Sequence, residues 1–135
     1  MCSSDLFTLD IRNFVEKAKK NPETVARSVS FRLFSAVIKA SPVDTGRFRM
    51  NWQTAGAITP SGILDAVDQS GDKAVAMAAD YVFKNSDWGE FTLTNNLPYA
   101  ERLEYGWSNQ APQGFVRINV ARFNSLLEEE ANKVR

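Results

Sequence analysis

The chain is predicted to fold as one α+β domain, with helices packed on a small and mainly antiparallel sheet. Three observations lead to this prediction. Apolar residues recur at helical spacing in several segments, two short stretches alternate between apolar and polar residues, and turn residues separate these segments. The 135 residues suit a single domain with its own core, and no internal repeat or linker divides residues 1–135.

Two helices are expected before residue 41. In residues 5–20, apolar side chains recur every three or four positions, which is typical of one helical face. A second helix begins near Asn21, which can cap it, and Pro22, which fits a first turn because its missing N–H would be unpaired there. It should end at Ala40, before Pro42. This helix carries two apolar stripes, so burial in the core and a subunit interface are both open explanations for the second stripe.

A turn, a strand and a long loop are expected next. After the turn at residues 42–46, Phe48, Met50 and Trp52 alternate with polar residues, which predicts a strand with these three side chains on one face. Residues 56–71 are rich in glycine, proline and serine and predict a long loop or a hairpin. Long loops within compact domains are often functional, so we expect this segment either to contact a neighbour or to be mobile before assembly.

The second half of the chain repeats both kinds of pattern. The predicted elements are a helix over residues 72–85, a strand over 90–95, a short helix over 97–106 ended by a glycine, and a C-terminal helix over 115–134. In the strand, the side chains of Phe91 and Leu93 are expected to face the core, and those of Thr92 and Thr94 are expected to face solvent. In the last helix, Val120 belongs to the predicted buried face, whereas Glu128, Glu129 and Glu130 form the solvated one.

Composition argues against most enzymatic and nucleic-acid functions. The chain has no histidine, which removes the commonest general base and metal ligand. Its single cysteine, Cys2, excludes an intramolecular disulfide and the usual zinc-binding spacing. Lysine plus arginine and aspartate plus glutamate each total 16, without the basic excess of a nucleic-acid binder. We therefore expect a non-enzymatic protein without cofactor or metal, whose neutral charge suits self-assembly.

Membrane insertion and export are also not expected. No apolar run approaches the length of a membrane-spanning helix, and the first residues lack the basic and apolar regions of a signal peptide. The remaining acid–base candidates are the carboxylates Asp44, Glu101 and Glu104. An exposed pair of glutamates beside Arg102 is the simpler interpretation of the latter two.

The turn at residues 42–46 has a local structural explanation. The side chains of Asp44 and Thr45 can accept hydrogen bonds from nearby backbone N–H groups. Gly46 can adopt the unusual backbone dihedral angles that are needed where a helix is followed by a strand. Arg47 and Arg49, two positions apart, are then predicted to project from the strand face opposite the core. Solvation and a protein interface are the two alternatives for these arginines.

Two segments together resemble a known family. The first is Ser-Pro-Val-Asp-Thr-Gly-Arg-Phe-Arg at residues 41–49, followed by Trp52. The second contains Tyr-Ala at 99–100, Glu-Tyr-Gly-Trp at 104–107 and Ala-Pro-Gln-Gly-Phe-Val-Arg at 111–117. Their order and spacing resemble the neck and minor tail proteins of long-tailed phages, the family that includes the lambda minor tail protein Z. Residues 56–88 match no feature of that family.

The resemblance implies a structural virion protein at the head–tail junction. It implies an α+β fold that acts without cofactor, often as a ring, in the virion neck or tail and in the host cytoplasm during assembly. The implied partners are further copies of the chain and the head-closure or connector and tail-tube proteins. No membrane and no specific nucleic acid is expected, even if DNA passes through the assembled channel. The alternatives are a tail terminator ring and a small non-catalytic protein-binding or regulatory module.

Eight side chains are predicted to make assembly contacts, all within the two segments that carry the resemblance. They are Asp44, Thr45, Arg47, Arg49, Tyr99, Glu104, Tyr105 and Trp107. A structural explanation also exists for Asp44, Thr45 and Tyr99, as it does for Gly46 and Gly106.

Overall fold

The computed structural model describes residues 9–10, 22–43, 45–56, 58, 60–86, 91–105 and 114–133. Within these ranges the elements are β1 (Leu9–Asp10), α1 (Pro22–Ala40), α2 (Arg47–Met50), β2 (Trp52–Ala55), α3 (Asp72–Lys84), β3 (Thr92–Asn95), α4 (Ala100–Glu104), α5 (Arg117–Val120) and α6 (Phe123–Lys133). The predicted α+β class is confirmed, and so are the helix ending at Ala40 and the irregular path of residues 60–71.

The sheet has three antiparallel strands in the order β1-β3-β2. Leu93 of the central strand lies opposite Leu9 on one side and Thr54 on the other. The predicted helix over residues 5–20 is therefore wrong at residues 9–10, which form β1. The remainder of that prediction lies outside the described residues.

The central strand β3 is buried on both faces. Phe91 and Leu93 are fully buried, as predicted, but Thr92 and Thr94 are only 2% and 1% exposed. The prediction that the threonines face solvent is wrong, because elements cover both sides of a central strand. The Thr92 hydroxyl is satisfied there, since it donates a hydrogen bond to the Gly56 carbonyl at 3.0 Å.

Helix α1 forms the centre of the helical layer and packs against both α3 and α6. Its first apolar stripe, which includes Val29 and Leu33, is buried in the core. Phe34 and Ile38 of the second stripe are also fully buried, so core packing explains both. Phe31 is the exception, because it is half-buried and its ring lies 5.5 Å from that of the exposed Phe83.

The strand predicted through Phe48, Met50 and Trp52 is wrong in type. Residues 47–50 form the single helical turn α2, and β2 begins only at Trp52. All three apolar side chains are nevertheless buried. A four-residue helical turn followed by a strand buries them as a continuous strand would, so alternation alone does not distinguish the two.

The predicted C-terminal helix is divided into α5 and α6 by a turn at residues 121–122. Asn119 is buried before this turn, and its side-chain amide donates to the Phe115 carbonyl at 2.7 Å. The break changes the helical phase, so that Val120 is 41% exposed and Glu130 is 6% exposed. The predictions that Val120 is buried and that Glu130 is solvated are both wrong. Val134 lies outside the described residues.

Candidate assembly site

The two segments that carry the family resemblance meet around the ring of Phe48. Its centroid lies 5.8 Å from that of Trp52 in the first segment, and 5.9 and 5.4 Å from those of Tyr99 and Phe115 in the second. Edge contacts of this kind are favourable for aromatic rings. We call this unit the signature junction and define it as residues 41–43, 45–52, 99–105 and 114–117.

Ser41 and Trp52 hold the first segment against the end of α1. The indole Nε1 of Trp52 donates to the Ser41 hydroxyl at 2.8 Å, and that hydroxyl donates to the Val37 carbonyl at 2.7 Å. Both residues are buried. These two consecutive buried hydrogen bonds therefore fix the proline-containing segment that follows α1.

Arg49 closes the C-terminal end of α1. Its guanidinium donates to the backbone carbonyls of Lys39 and Ser41 at 2.9 and 3.0 Å, and to that of Gln69 at 2.8 Å. The last carbonyls of a helix lack intrahelical partners, so a cation placed there satisfies them and complements the helix dipole. Arg49 also ties the long loop to α1, and these contacts explain the residue without a partner protein.

Gly46 has a conformation and surroundings that exclude a side chain. Its φ of 97° lies in the left-handed region, and an added Cβ would stand 2.5 Å from the Gln69 backbone nitrogen. Its carbonyl accepts a hydrogen bond from the Asp68 N–H at 2.9 Å. The Thr45 hydroxyl accepts one from the Arg47 N–H at 3.2 Å, which agrees with the predicted local role of this turn.

Glu104 organises the second segment from inside the protein. Its Oε1 accepts hydrogen bonds from the N–H groups of Phe115 and Val116 at 2.8 and 2.9 Å. Its Oε2 accepts from the backbone N–H and the Nε of Arg117, both at 2.9 Å. The prediction of an exposed glutamate is wrong for this residue, which is 4% exposed. A carboxylate is favoured here because the first N–H groups of a helix lack intrahelical partners and can donate to an acidic side chain.

Gly114 allows this close packing. An added Cβ at Gly114, whose φ is 87°, would lie 2.7 Å from the Glu104 carbonyl oxygen. Arg117 returns a hydrogen bond to that carbonyl at 2.7 Å, and its guanidinium carbon lies 4.7 Å from the centre of the Tyr105 ring. Tyr105 is 56% exposed, so this cation–π pair is the solvent-facing side of the signature junction.

The carboxylate of Glu104 has an internal structural role. It is buried, and its two oxygens accept four hydrogen bonds from residues 115–117. No group of three potential metal-ligating residues occurs in the described ranges. The helices that the structure describes are likewise too short or too polar to cross a bilayer.

The predicted contact residues differ in accessibility. Thr45, Arg47 and Tyr105 are exposed, Arg49 and Tyr99 are half-buried, and Glu104 is buried. Asp44 and Trp107 lie outside the described residues, as do Gly106 and the side chain of Glu101. In the described part of the chain, the Arg47 guanidinium forms no hydrogen bond or ion pair. A partner contact by any of these side chains remains a prediction.

Two buried polar residues of the site region were not anticipated. The Asn95 amide donates to the Phe48 carbonyl at 2.9 Å and joins β3 to the signature junction. The Asp68 carboxylate accepts from the Ala74 N–H at 2.9 Å and caps the start of α3. The recognised capping signal is a residue directly before the helix, but Asp68 lies three positions before the N-cap residue Gly71. Neither Asp68 nor Asn95 therefore had a clear signal in the sequence.

The chain has no match among protein-family models, curated proteins or solved structures. Its function is therefore proposed from the residues, their resemblance and the geometry described above.

Proposed function

We propose that the chain is a structural protein of a tailed-phage head–tail connector. As a neck or tail-completion protein, it joins the tail to the DNA-filled head. One observation carries the proposal. The two segments that resemble this family are far apart in sequence, yet they pack on each other around Phe48 as one unit. Residues that combine into a single structure give a more specific resemblance than either segment alone.

The proposed mechanism is assembly without catalysis. The chain has no histidine, and its buried carboxylate at Glu104 serves backbone N–H groups. Exposed side chains on the signature junction, among them Arg47 and Tyr105, are available to head-closure, connector or tail-tube proteins. Arginine and tyrosine are enriched at protein interfaces, which supports this role. Several copies are proposed to act together in the neck.

The test is deletion of the gene from the phage that carries it. The expected result is DNA-filled heads and complete tails that remain separate in electron micrographs. Complementation with Arg47→Glu should fail to restore joining, although circular dichroism shows a folded protein. Lys73→Glu is the matched control, because it reverses an exposed charge on α3 and should restore joining.

Two outcomes would count against the proposal. Normal virions from the deletion mutant would overturn it directly. Tails of uncontrolled length would favour a tail terminator instead, because that protein stops the growth of the tube.

A further inference from the structure

The long loop presents apolar side chains and one acid to solvent. Ile63 and Val67 are 45% and 50% exposed, and Asp65 between them is also exposed. The Asp65 carboxylate has no ion-pair partner in the part of the chain that the structure describes. No lysine or arginine occurs in residues 56–72. We call Ile63, Asp65 and Val67 the loop surface.

Hydrogen bonds hold this loop in place on both sides of the loop surface. On one side, the Asn51 side chain accepts from the Leu64 N–H at 2.7 Å and donates to the Leu64 carbonyl at 3.0 Å. On the other, the Asp68 N–H donates to the Gly46 carbonyl at 2.9 Å. The loop is therefore ordered although it is irregular. A preorganised segment loses little conformational entropy on docking.

A groove of complementary character lies between α1 and the α5–α6 region. It has a volume of about 320 Å³. Its apolar lining comes from Phe31, Ala36 and Leu126, and its cationic lining from Arg32, Lys39 and Arg122. We call it the helix groove. Its size is at the lower end of ligand pockets, which suits a few side chains better than a large cofactor.

Arg122 is the cation in the helix groove that remains available. Arg32 is engaged by Glu130 at 2.8 Å, and Lys39 is engaged by Asp72 and by the Ser70 carbonyl. Arg122 is exposed and has no acidic partner among the described residues. An incoming carboxylate would therefore meet one unpaired guanidinium beside an apolar floor.

We propose that the loop surface of one copy docks into the helix groove of a second copy, with Asp65 facing Arg122. The inference rests on the proposed multi-subunit function and names its contact surfaces. An exposed apolar segment with one acid meets an apolar groove that carries one base without an acidic partner among the described residues. Every copy carries both surfaces, and two different surfaces on one chain allow successive copies to join.

A second and larger groove among the described residues fits the loop surface less well. It has a volume of about 690 Å³ and is lined by β2, α3 and the loop itself, including Ile58 and Leu64. Its one charged lining residue is Asp80, which pairs with Lys84 at 2.7 Å. This groove therefore offers an acid, not a base, to an incoming Asp65.

The experiment uses two charge reversals that are expected to rescue one another. Analytical ultracentrifugation over a range of concentrations should show self-association of the unmodified chain. Asp65→Arg and Arg122→Glu should each weaken it by at least about tenfold, because each places like charges together. An equimolar mixture of the two variants should restore association, since each loop then meets a groove of opposite charge. Lys73→Glu, outside both surfaces, should associate like the unmodified chain.

Three results would overturn the inference. The first is association that neither reversal weakens, and the second is a mixture that does not regain association. The third is a chain that stays monomeric at its highest soluble concentration. In that third case, a reversal that still blocks head–tail joining would assign the surface to another connector protein. Failure of the proposed function is distinguishable, because normal virions from the deletion mutant are measured independently of association in solution.

Discussion

The signature junction and the loop over residues 60–71 are built in opposite ways. In the signature junction, large side chains such as Phe48, Trp52 and Phe115 are buried, and Arg49 and Glu104 bond to backbone groups. The loop backbone instead accepts hydrogen bonds from Arg49 and Asn51, which lie outside the loop, while Ile63 and Val67 within it face solvent.

This difference separates residues that maintain the fold from residues that are free to bind. Residues of the two segments that carry the resemblance can be required by the fold itself, as Gly46, Gly114 and Glu104 show by their surroundings. The exposed apolar residues of the loop have no such internal role. The segment that matches no family feature is therefore the one with the clearest unpartnered surface.

The largest expected effect is at Glu104. Glu104→Ala should lower the free energy of unfolding by about 3–5 kcal/mol, because it leaves buried N–H groups and Arg117 without their acceptor. Denaturant unfolding followed by circular dichroism measures this loss. Glu128→Ala, at an exposed glutamate of α6, should change stability by less than about 0.5 kcal/mol. Similar losses in the two variants would show that the signature junction is not held together by Glu104.

An intermediate effect on the free energy of unfolding is expected when Glu130 is replaced. Its carboxylate forms ion pairs with Arg32 at 2.8 Å and Lys133 at 2.9 Å. Burial is the largest influence and raises the pKa of Glu130, but hydrogen bonds from Lys133 and Arg32 outweigh it and hold the pKa below its ordinary value. The charged form is therefore favoured by folding. Its stabilisation is complete above the unfolded-state pKa of about 4.5 and is lost as pH falls through the folded pKa.

Glu130→Gln should accordingly lower the free energy of unfolding by about 1–2 kcal/mol at neutral pH, since Arg32 and Lys133 are partly exposed and screened. The difference between the variant and the unmodified chain should shrink as the pH is lowered below about 4.5. Unfolding curves at a series of pH values test this. A difference that is independent of pH would attribute the loss to packing and not to charge.

The smallest effect on stability is expected in the loop, where a matched pair of isoleucines sharpens the comparison. Ile63 is 45% exposed, whereas Ile38 is fully buried in α1. Ile38→Ala should cost about 2–5 kcal/mol through the cavity it creates. Ile63→Ala should cost less than about 1 kcal/mol, because its side chain is already half in water. Equal losses would mean that the loop belongs to the core and is not a free surface.

The elements that could be predicted from the sequence depend on local patterns. Helix α1 combines helical spacing with a proline at its start and another shortly after its end, and all of these signals lie within the element. Strand β1 could not be predicted, because Leu9–Asp10 becomes a strand only by pairing with β3 near residue 93. The same limit applies to Thr92 and Thr94, whose burial depends on elements that cover β3 from both sides.

The residue types of the candidate site and their order could be predicted from the sequence, but the accessibility of its side chains could not. Thr45, Arg47 and Tyr105 are exposed as a contact role would need, whereas Glu104 is internal. The burial of Glu104 depends on Gly114 and on the N–H groups of residues 115–117, which lie ten or more positions later in the chain. A sequence pattern does not show how close two distant segments lie in the fold. A charged residue in a motif can therefore be either an exposed contact residue or a buried residue that stabilises the fold.

The strand order of the sheet has a consequence for how the protein is made. Both edge strands, β1 and β2, form their ladder hydrogen bonds with β3, which comes after them in the chain. Neither can be paired before residues 92–95 have left the ribosome, and Phe115 reaches Phe48 later still. The apolar faces of α1 therefore lack their final cover until the residues that pack against them have been made. The long-range contacts around Phe48 can close only after Phe115 has been synthesised.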